Sequence, residues 1–495
     1  MNTNKKTREG ISLQSGENAT TLTSKSFPKY KEGELQSKVK NLEKSSQSYF
    51  LLLCALIFTT LFSGMNGLAS QKFIQSVLHG EPSDLATADL YSNLVTAAAP
   101  IFGYLLDNFY PFRLRIGPYL VFASLVASLS HIYVWAFPQS KASYISALSV
   151  KACASTFVTV ITQGLIVLKT KMDVELFDLK EELEGLKGPP EQRERRLSHV
   201  DGAAPQRIVK RDRIGIRLYT IYTIYTSMFE GLSTIFGGFI VDNVPIKLVY
   251  LLSASPGIIV TGLIIFYLKE PKEKKWFSES QDLLLTIKSF FKVFFSPLIL
   301  LPAILKLITS VVPDASDAIR FILINQGGWT YSQLGSVTAL AALVVVIVII
   351  KLRNFRQTSS FEFLFLVGTL STAYTRVTEI PQIFTSIPVP AFIAAFSLQA
   401  VFSTFSQLFT TIPLFGRFNT LIPDGFESTG ANIMNSLIEI SGSLSLYGTK
   451  KELEYFGVVN GYYSRVKGPL ALNLAISIIT CFICPFFLMG RVKSK

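Results

Sequence analysis

Asp314, Asp317 and Arg320 follow Pro313 at intervals of three residues, inside a stretch that is otherwise long and apolar. On a helix the three side chains share one face. Asp317 and Arg320 then suit an ion pair, which leaves Asp314 to exchange a proton or to meet a bound solute. Pro313 lacks an amide hydrogen and breaks the backbone just before them, freeing carbonyls as discontinuous membrane helices do. A second reading puts the group at a membrane surface, simply solvated. Further ionisable and amide side chains stand inside apolar stretches: Lys151, Glu230, Gln163, Gln407 and Glu439. Asn435 and Glu439 are four apart and stack on one helix face. An ionisable group at membrane depth is costly and usually faces a cavity or a partner, so Lys151, Asp314, Asp317, Arg320, Gln407, Asn435 and Glu439 are the candidates for a solute or proton pathway. Gln163 and Gln407 also suit bonds to a neighbouring helix.

Enzymatic chemistry is not expected. His79, His131 and His199 are too scattered to form a site, and Cys54, Cys153, Cys481 and Cys484 all lie in apolar segments. Cys481 and Cys484 have redox spacing without the strand–helix context that such chemistry uses. There is no nucleophile–base pair and no metal-ligand spacing, so neither a cofactor nor a metal is implied.

The stretch Pro100-Ile101-Phe102-Gly103-Tyr104-Leu105-Leu106-Asp107 closes one apolar run, Arg113 and Arg115 follow, and Pro118-Tyr119 opens the next. An acid at a helix end can cap that end and pair with the arginines, latching two helices on one membrane face. Gly103, Asp107, Arg113 and Arg115 therefore form a candidate cytosolic gate.

The elements that carry these residues follow from the apolar blocks. The 495 residues are 49% hydrophobic and 16% charged, with mean hydropathy +0.39; an ordinary soluble domain carries about 25% charge. Spans of the ~20 residues a bilayer requires fall at about 49–68, 90–106, 119–137, 145–168, 216–241 and 248–268. Six more follow, at 293–323 (broken by Pro297, Pro302 and Pro313), 334–350, 361–374, 391–415, 431–447 and 470–489. The expected fold is an all-α membrane protein of about twelve transmembrane helices in two six-helix bundles. Residues 1–47 read as a disordered cytosolic tail. Helices 1–4 fill 48–168, a charged loop insertion 169–216 and helices 5–6 residues 217–268. A central linker occupies 269–290, helices 7–12 fill 291–490, and 491–495 form a short tail.

The net charge of +13 sits mainly in loops after even-numbered spans: Arg113 and Arg115; Lys269, Lys272, Lys274 and Lys275; Lys351, Arg353 and Arg356; Arg417. That bias places both termini in the cytosol. A nucleic-acid partner would need a basic face on a soluble domain, and none is visible. The lipid bilayer is the expected surrounding, in the plasma membrane first and an organelle membrane otherwise.

Several stretches together resemble the folate–biopterin transporter family, a branch of the major facilitator superfamily. They are Gly67-Leu68-Ala69; Pro100 with Gly103, Asp107, Arg115 and Pro118-Tyr119; Pro313 with Ala318, Phe321, Trp329 and Leu334-Gly335; Ser406-Gln407 with Pro413; and Pro423, Gly425, Glu427 and Thr429. The last group is the most specific. The resemblance implies alternating-access transport of a folate- or pterin-like anion, often with protons. The chain departs from the family where acids are usual, at Ser155, Thr159, Gln163 and Phe396, and carries Arg320 where an aromatic is usual. Alternatives are a carrier of the same architecture for another small solute, such as an amino acid, vitamin or drug, and a non-transporting receptor or scaffold acting through 169–216.

Overall fold

The structure is a computed structural model. It describes residues 35–43, 63–114, 116–137, 140–187, 200–267, 295, 297–313, 316–325, 327–358, 361–377, 395, 398–399, 401–403, 405–419, 422, 427–458 and 463–492. The described residues fold as helices, and no β-sheet occurs among them.

Residues 35–43 form α1. The first half continues with α2 (Ser63–Ser76), α3 (Pro82–Thr96), α4 (Ala99–Asn108), α5 (Gly117–Ala136), α6 (Lys141–Lys187), α7 (Val200–Asn243) and α8 (Ile246–Tyr267). The second half has α9 (Pro297–Ser310), α10 (Ser316–Asn325), α11 (Tyr331–Thr358), α12 (Phe361–Val377), α13 (Ile412–Asn419), α14 (Glu427–Phe456) and α15 (Lys467–Val492). Five stretches within α5, α6, α7, α8 and α11 are long and apolar enough to cross a bilayer. Two crossings are split in place: α3 and α4 at Ala97–Ala98, ahead of Pro100, and α9 and α10 ahead of the described Pro313.

Short connections reverse the chain at each end. The first crossing ends at Ser76, and α3 starts again within a few residues, with Glu81 and Asp84 as a capping box around Pro82. Such a box satisfies two of the orphan amides at a helix start. The α4–α5, α5–α6 and α7–α8 connections are equally short, so consecutive crossings are antiparallel. The α4 end with Asp107 and the α7 end with Asp242 therefore lie on opposite faces.

Large apolar side chains stand exposed along α5 and α8, among them Phe122, Leu129, Ile259, Ile265 and Phe266. Without a bilayer such a surface would be an aggregation hazard; within one it is the lipid-facing side, the backbone being satisfied inside each helix. Two buried clusters cross between the halves. One joins Phe73, Tyr144, Tyr250 and Val241 with Phe321, Tyr331 and Leu453. The other joins Ile166, Leu218 and Tyr219 with Phe415, Phe418 and Met434.

Two expectations change. Residues 35–43, read as part of a disordered tail, are helical, and the 169–216 insertion, read as a long loop with room for a short helix around 174–186, carries the continuation of α6 to Lys187 and the start of α7 at Val200. The helix at 35–43 and the extension of α6 support each other. Leu35 and Val39 of α1 bury against Leu179 of α6, and Lys38–Glu175 and Lys180–Glu43 pair at 3.0 and 2.6 Å. A helix this short is marginal alone, so its sequence shows little until a partner surface is known.

Candidate functional site

A long seam between the halves runs along the α3–α4 crossing and α14. The break at Ala97–Ala98 interrupts the hydrogen-bond ladder, and Ser436 Oγ of α14 donates to the Ala97 carbonyl. Deeper in the same seam, Asn432 Nδ2 donates to Ser428 O at 2.7 Å and reaches Val160 O of α6 at 3.5 Å. At its end Gly103 meets α14 with backbone against backbone: a Cβ there would lie 2.8 Å from the Ser428 carbonyl carbon and oxygen and from Thr429 Cα. Gly164 of α6 likewise leaves room for the Ser428 hydroxyl.

This close approach aims Asp107 at the start of α14. Its carboxylate accepts from Ser428 N at 3.2 Å, Thr429 N at 2.8 Å and Thr429 Oγ1 at 2.8 Å. Helix N-termini leave amides without partners and carry positive potential, so a buried carboxylate here satisfies both needs. Tyr119 Oη donates to the Leu105 and Phe109 carbonyls, and Tyr110 Oη to that of Asp107, fixing the end of α4. Lys171 of α6 adds an ion pair to Glu427, the first residue of α14, at 2.9 Å. Arg113 is exposed, on a left-handed residue pair with Phe112 (φ 62° and 55°). Arg115 lies outside the described residues.

The family-motif positions divide similarly. Glu427 and Thr429 are both in the latch, while Pro423 and Gly425 lie outside the described residues. Their signal was therefore structural: the motif's last two polar residues receive Lys171 and Asp107.

The pathway candidates disperse. Lys151, half-buried on α6, is within electrostatic reach of Asp89 on α3 and of His131 on α5. Beside them, the Tyr144 and Tyr250 hydroxyls bond at 2.6 Å. Phe73 stacks on Tyr144 at 4.8 Å, and the His131 ring lies 5.9 Å from Tyr250. Asp89 falls one residue before the expected 90–106 span and gave no signal there, whereas His131 stands inside the 119–137 span, where a polar residue is itself a signal. Gln163 lies close to the Tyr219 side chain, and its Oε1, buried, has no partner among the described residues.

In the second half, Arg320 and Asp317 lie on α10 and Asp314 outside the described residues. The break before them has its carbonyl answered: Ser445 Oγ of α14 donates to Val312 O at 2.7 Å, and Gly448 packs on Pro313. Gln407 opens a π-helical turn, Gln407–Thr411. Asn435 turns toward Asn432, at 3.5 Å, and Glu439 is half-buried one turn further along α14. No group of three or more His, Cys, Asp or Glu able to hold a metal occurs among the described residues.

Two halves of membrane-length helices, joined at their ends by side-chain-to-helix-terminus bonds, suit a protein that opens and closes rather than one that performs bond chemistry. The family model described as the BT1 family matches residues 202–492, more than half of the sequence. The chain belongs to the BT1 family. This is the folate–biopterin transporter family, so the BT1-family chain is a secondary transporter and not an enzyme. No curated protein matches it. Among solved structures it is similar to a mutant form of the nucleoside transporter NupG, with TM-score 0.61 and 11% identity over 89% of this chain and 99% of that one. It is similar also to a structure from work on proton-dependent oligopeptide transporters, with TM-score 0.59 and 10% identity over 90% and 98%. A D-xylose–proton symporter gives TM-score 0.59 and 9% identity over 88% and 96%. At such identities the likeness establishes the fold, that of the major facilitator transporters.

Proposed function

We propose that this transporter carries folate- or pterin-like organic anions by alternating access, with Lys151 as the cation that receives a substrate carboxylate. The observation that carries the reading is the placement of Lys151, half-buried and within electrostatic reach of Asp89 and His131. A carboxylate leaving water needs a cation in the low-dielectric interior, and an acid and an imidazole beside that cation supply groups through which a proton can be exchanged. The unpartnered Gln163 Oε1 supports a hydrogen-bond donor on the ligand. Arg320 is the second candidate for a carboxylate, and Asp314, Asp317 and Glu439 remain candidates for proton movement.

The face that holds Asp107 is assigned to the cytosol, with both termini on that side, because the loops of that face carry the excess of lysine and arginine. The plasma membrane is the proposed location.

Uptake of labelled folate into proteoliposomes tests the reading. Wild-type protein should accumulate label; Lys151→Met should reduce uptake about tenfold, the effect of losing one charge-assisted bond, and Arg320→Ala separates the two cations. Absence of uptake by wild-type protein with and without a proton gradient overturns the substrate assignment. Full uptake by Lys151→Met removes Lys151 from the role.

A further inference from the structure

Two crossings of the first half end on Gly-x-x-x-Asp. Gly103 and Asp107 end α4; Gly238 and Asp242 end α7, on the opposite face. The second pair repeats the geometry of the first. Gly238 packs against the Tyr331 carbonyl, and a Cβ there would lie 3.0 Å from Ser332 Cα. Asp242 then accepts from two successive amides at the start of α11, Tyr331 N at 3.1 Å and Ser332 N at 2.6 Å. A lysine completes each site. Where Lys171 pairs with Glu427 at the first latch, Lys72 of α2 donates to the Val241 carbonyl and lies 5.7 Å from the centre of the Tyr331 ring at the second. Tyr331 Oη also donates to Gln75 Oε1 at 2.8 Å.

The repetition has a pattern. Lys72 and Lys171 belong to the first and fourth crossings, Asp107 and Asp242 to the second and fifth, and the helices they hold to the eighth and eleventh. Three crossings are thus repeated with inverted orientation inside one half, an arrangement that places like residues on opposite membrane faces. Further inward, Gly231 against Ala342 and Gly335 against the Thr234 carbonyl keep α7 and α11 in close contact, so the aspartate sits at the outer end of a tight helix pair rather than alone on a loop.

We propose that Asp242 is the positioning residue of a second latch, which closes the face opposite Asp107, and that the transport cycle opens the two latches alternately. This rests on the alternating-access reading of the previous section and not on the identity of the solute. Each latch stabilises the closed form of its own face by placing a carboxylate on the unpaired amides and positive end of a helix from the other half. Neutralising one aspartate weakens one closed face, and the population moves toward the state in which that face is open and the other remains shut.

The test uses the full chain with Cys54, Cys153, Cys481 and Cys484 replaced by serine and one reporter cysteine added. Ala339→Cys places the reporter in the α7–α11 seam, and Ala431→Cys in α14 behind the Asp107 latch; both positions are buried. The labelling rate with a hydrophilic maleimide is read in detergent, where both faces meet the reagent. Asp242→Asn should raise labelling at Ala339→Cys about tenfold, the population equivalent of a lost charge-assisted bond, and lower it at Ala431→Cys. Asp107→Asn should do the reverse. Gly238→Ala, which pushes α7 from the Tyr331 carbonyl without altering charge, should shift the reporters in the same sense as Asp242→Asn and serves where that variant does not fold. If Asp242→Asn and Gly238→Ala leave both reporters unchanged, or raise both together, the second latch is refuted. Folate uptake by the wild type is measured alongside: its absence removes the substrate assignment, whereas the reporter shifts decide the latch alone.

Discussion

Thr429 meets Asp107 with two groups at once, its backbone N and its Oγ1 both 2.8 Å from the carboxylate. Bonds to a buried charge contribute about 1.5–3 kcal/mol net, roughly twice a neutral bond. Asp107→Ala should therefore lower stability in detergent by about 2 kcal/mol or more, read as a fall in the thermal midpoint. Thr429→Ala, which keeps the backbone bond, should lower it by about 1 kcal/mol. Because the residues share a contact, the double variant should cost less than the sum. Strict additivity would show that the hydroxyl bond contributes nothing.

Gly103 and Gly67 make a matched pair of substitutions, since both are glycines on membrane helices and only one is crowded. A Cβ at Gly103 would come within 2.8 Å of backbone atoms of Ser428 and Thr429, which cannot rotate away, whereas nothing lies within 4 Å of one at Gly67. Overpacking a close seam costs about 1–3 kcal/mol, while alanine is favoured over glycine inside a helix by about 1 kcal/mol. Gly103→Ala should lower the melting temperature and Gly67→Ala should leave it unchanged or raise it. Equal effects would mean that α4 and α14 do not approach as closely as the backbone places them.

The helical architecture could be read from the apolar blocks, because length and hydropathy alone decide whether a helix crosses a bilayer. Asp107 was legible as a helix-end acid from its type and place at the end of a run. Its bonds to Ser428 and Thr429 were not, because contact with amides more than 300 residues away depends on how the halves dock. Asp242 escaped notice although the Gly238-to-Asp242 spacing duplicates Gly103 to Asp107; a glycine four residues before an acid signals a capped helix only when the second helix is known. Lys151 stood out as a charge in an apolar segment, while Asp89 did not, because it precedes the expected 90–106 span by one residue and reads as a loop charge. The α1 helix was illegible for another reason: its apolar residues are too few to show a period.

Lys171 and Glu427 join α6 to α14 at 2.9 Å, and only about a twentieth of the Glu427 side chain is exposed. Breaking a largely buried pair leaves one charge without compensation and costs about 3 kcal/mol or more. Lys171→Glu should lower both transport and thermal stability, as should Glu427→Lys. The exchanged pair Lys171→Glu with Glu427→Lys should recover only part, since a lysine at position 427 places positive charge on a helix N-terminus that favours negative charge. Complete recovery would make the pair a simple charge contact, indifferent to the helix end; no recovery would assign the loss to other partners of the two residues.

The contact of α1 with α6 allows two forces to be ranked. Leu35 is fully buried and Val39 nearly so, against Leu179. The lysine and glutamate side chains of Lys38–Glu175 are each close to half exposed. Burying a leucine contributes about 1.5–3 kcal/mol, whereas an exposed ion pair contributes about 0–1 kcal/mol and is screened by salt. Leu35→Ala should detach α1, making the segment before the first crossing sensitive to protease at any ionic strength. Lys38→Ala should have a small effect at low salt that disappears by about 1 M, where the screening length falls to ~3 Å. If Lys38→Ala released α1 as readily as Leu35→Ala, and only at low salt, the charges rather than the leucine would hold this helix to the membrane bundle.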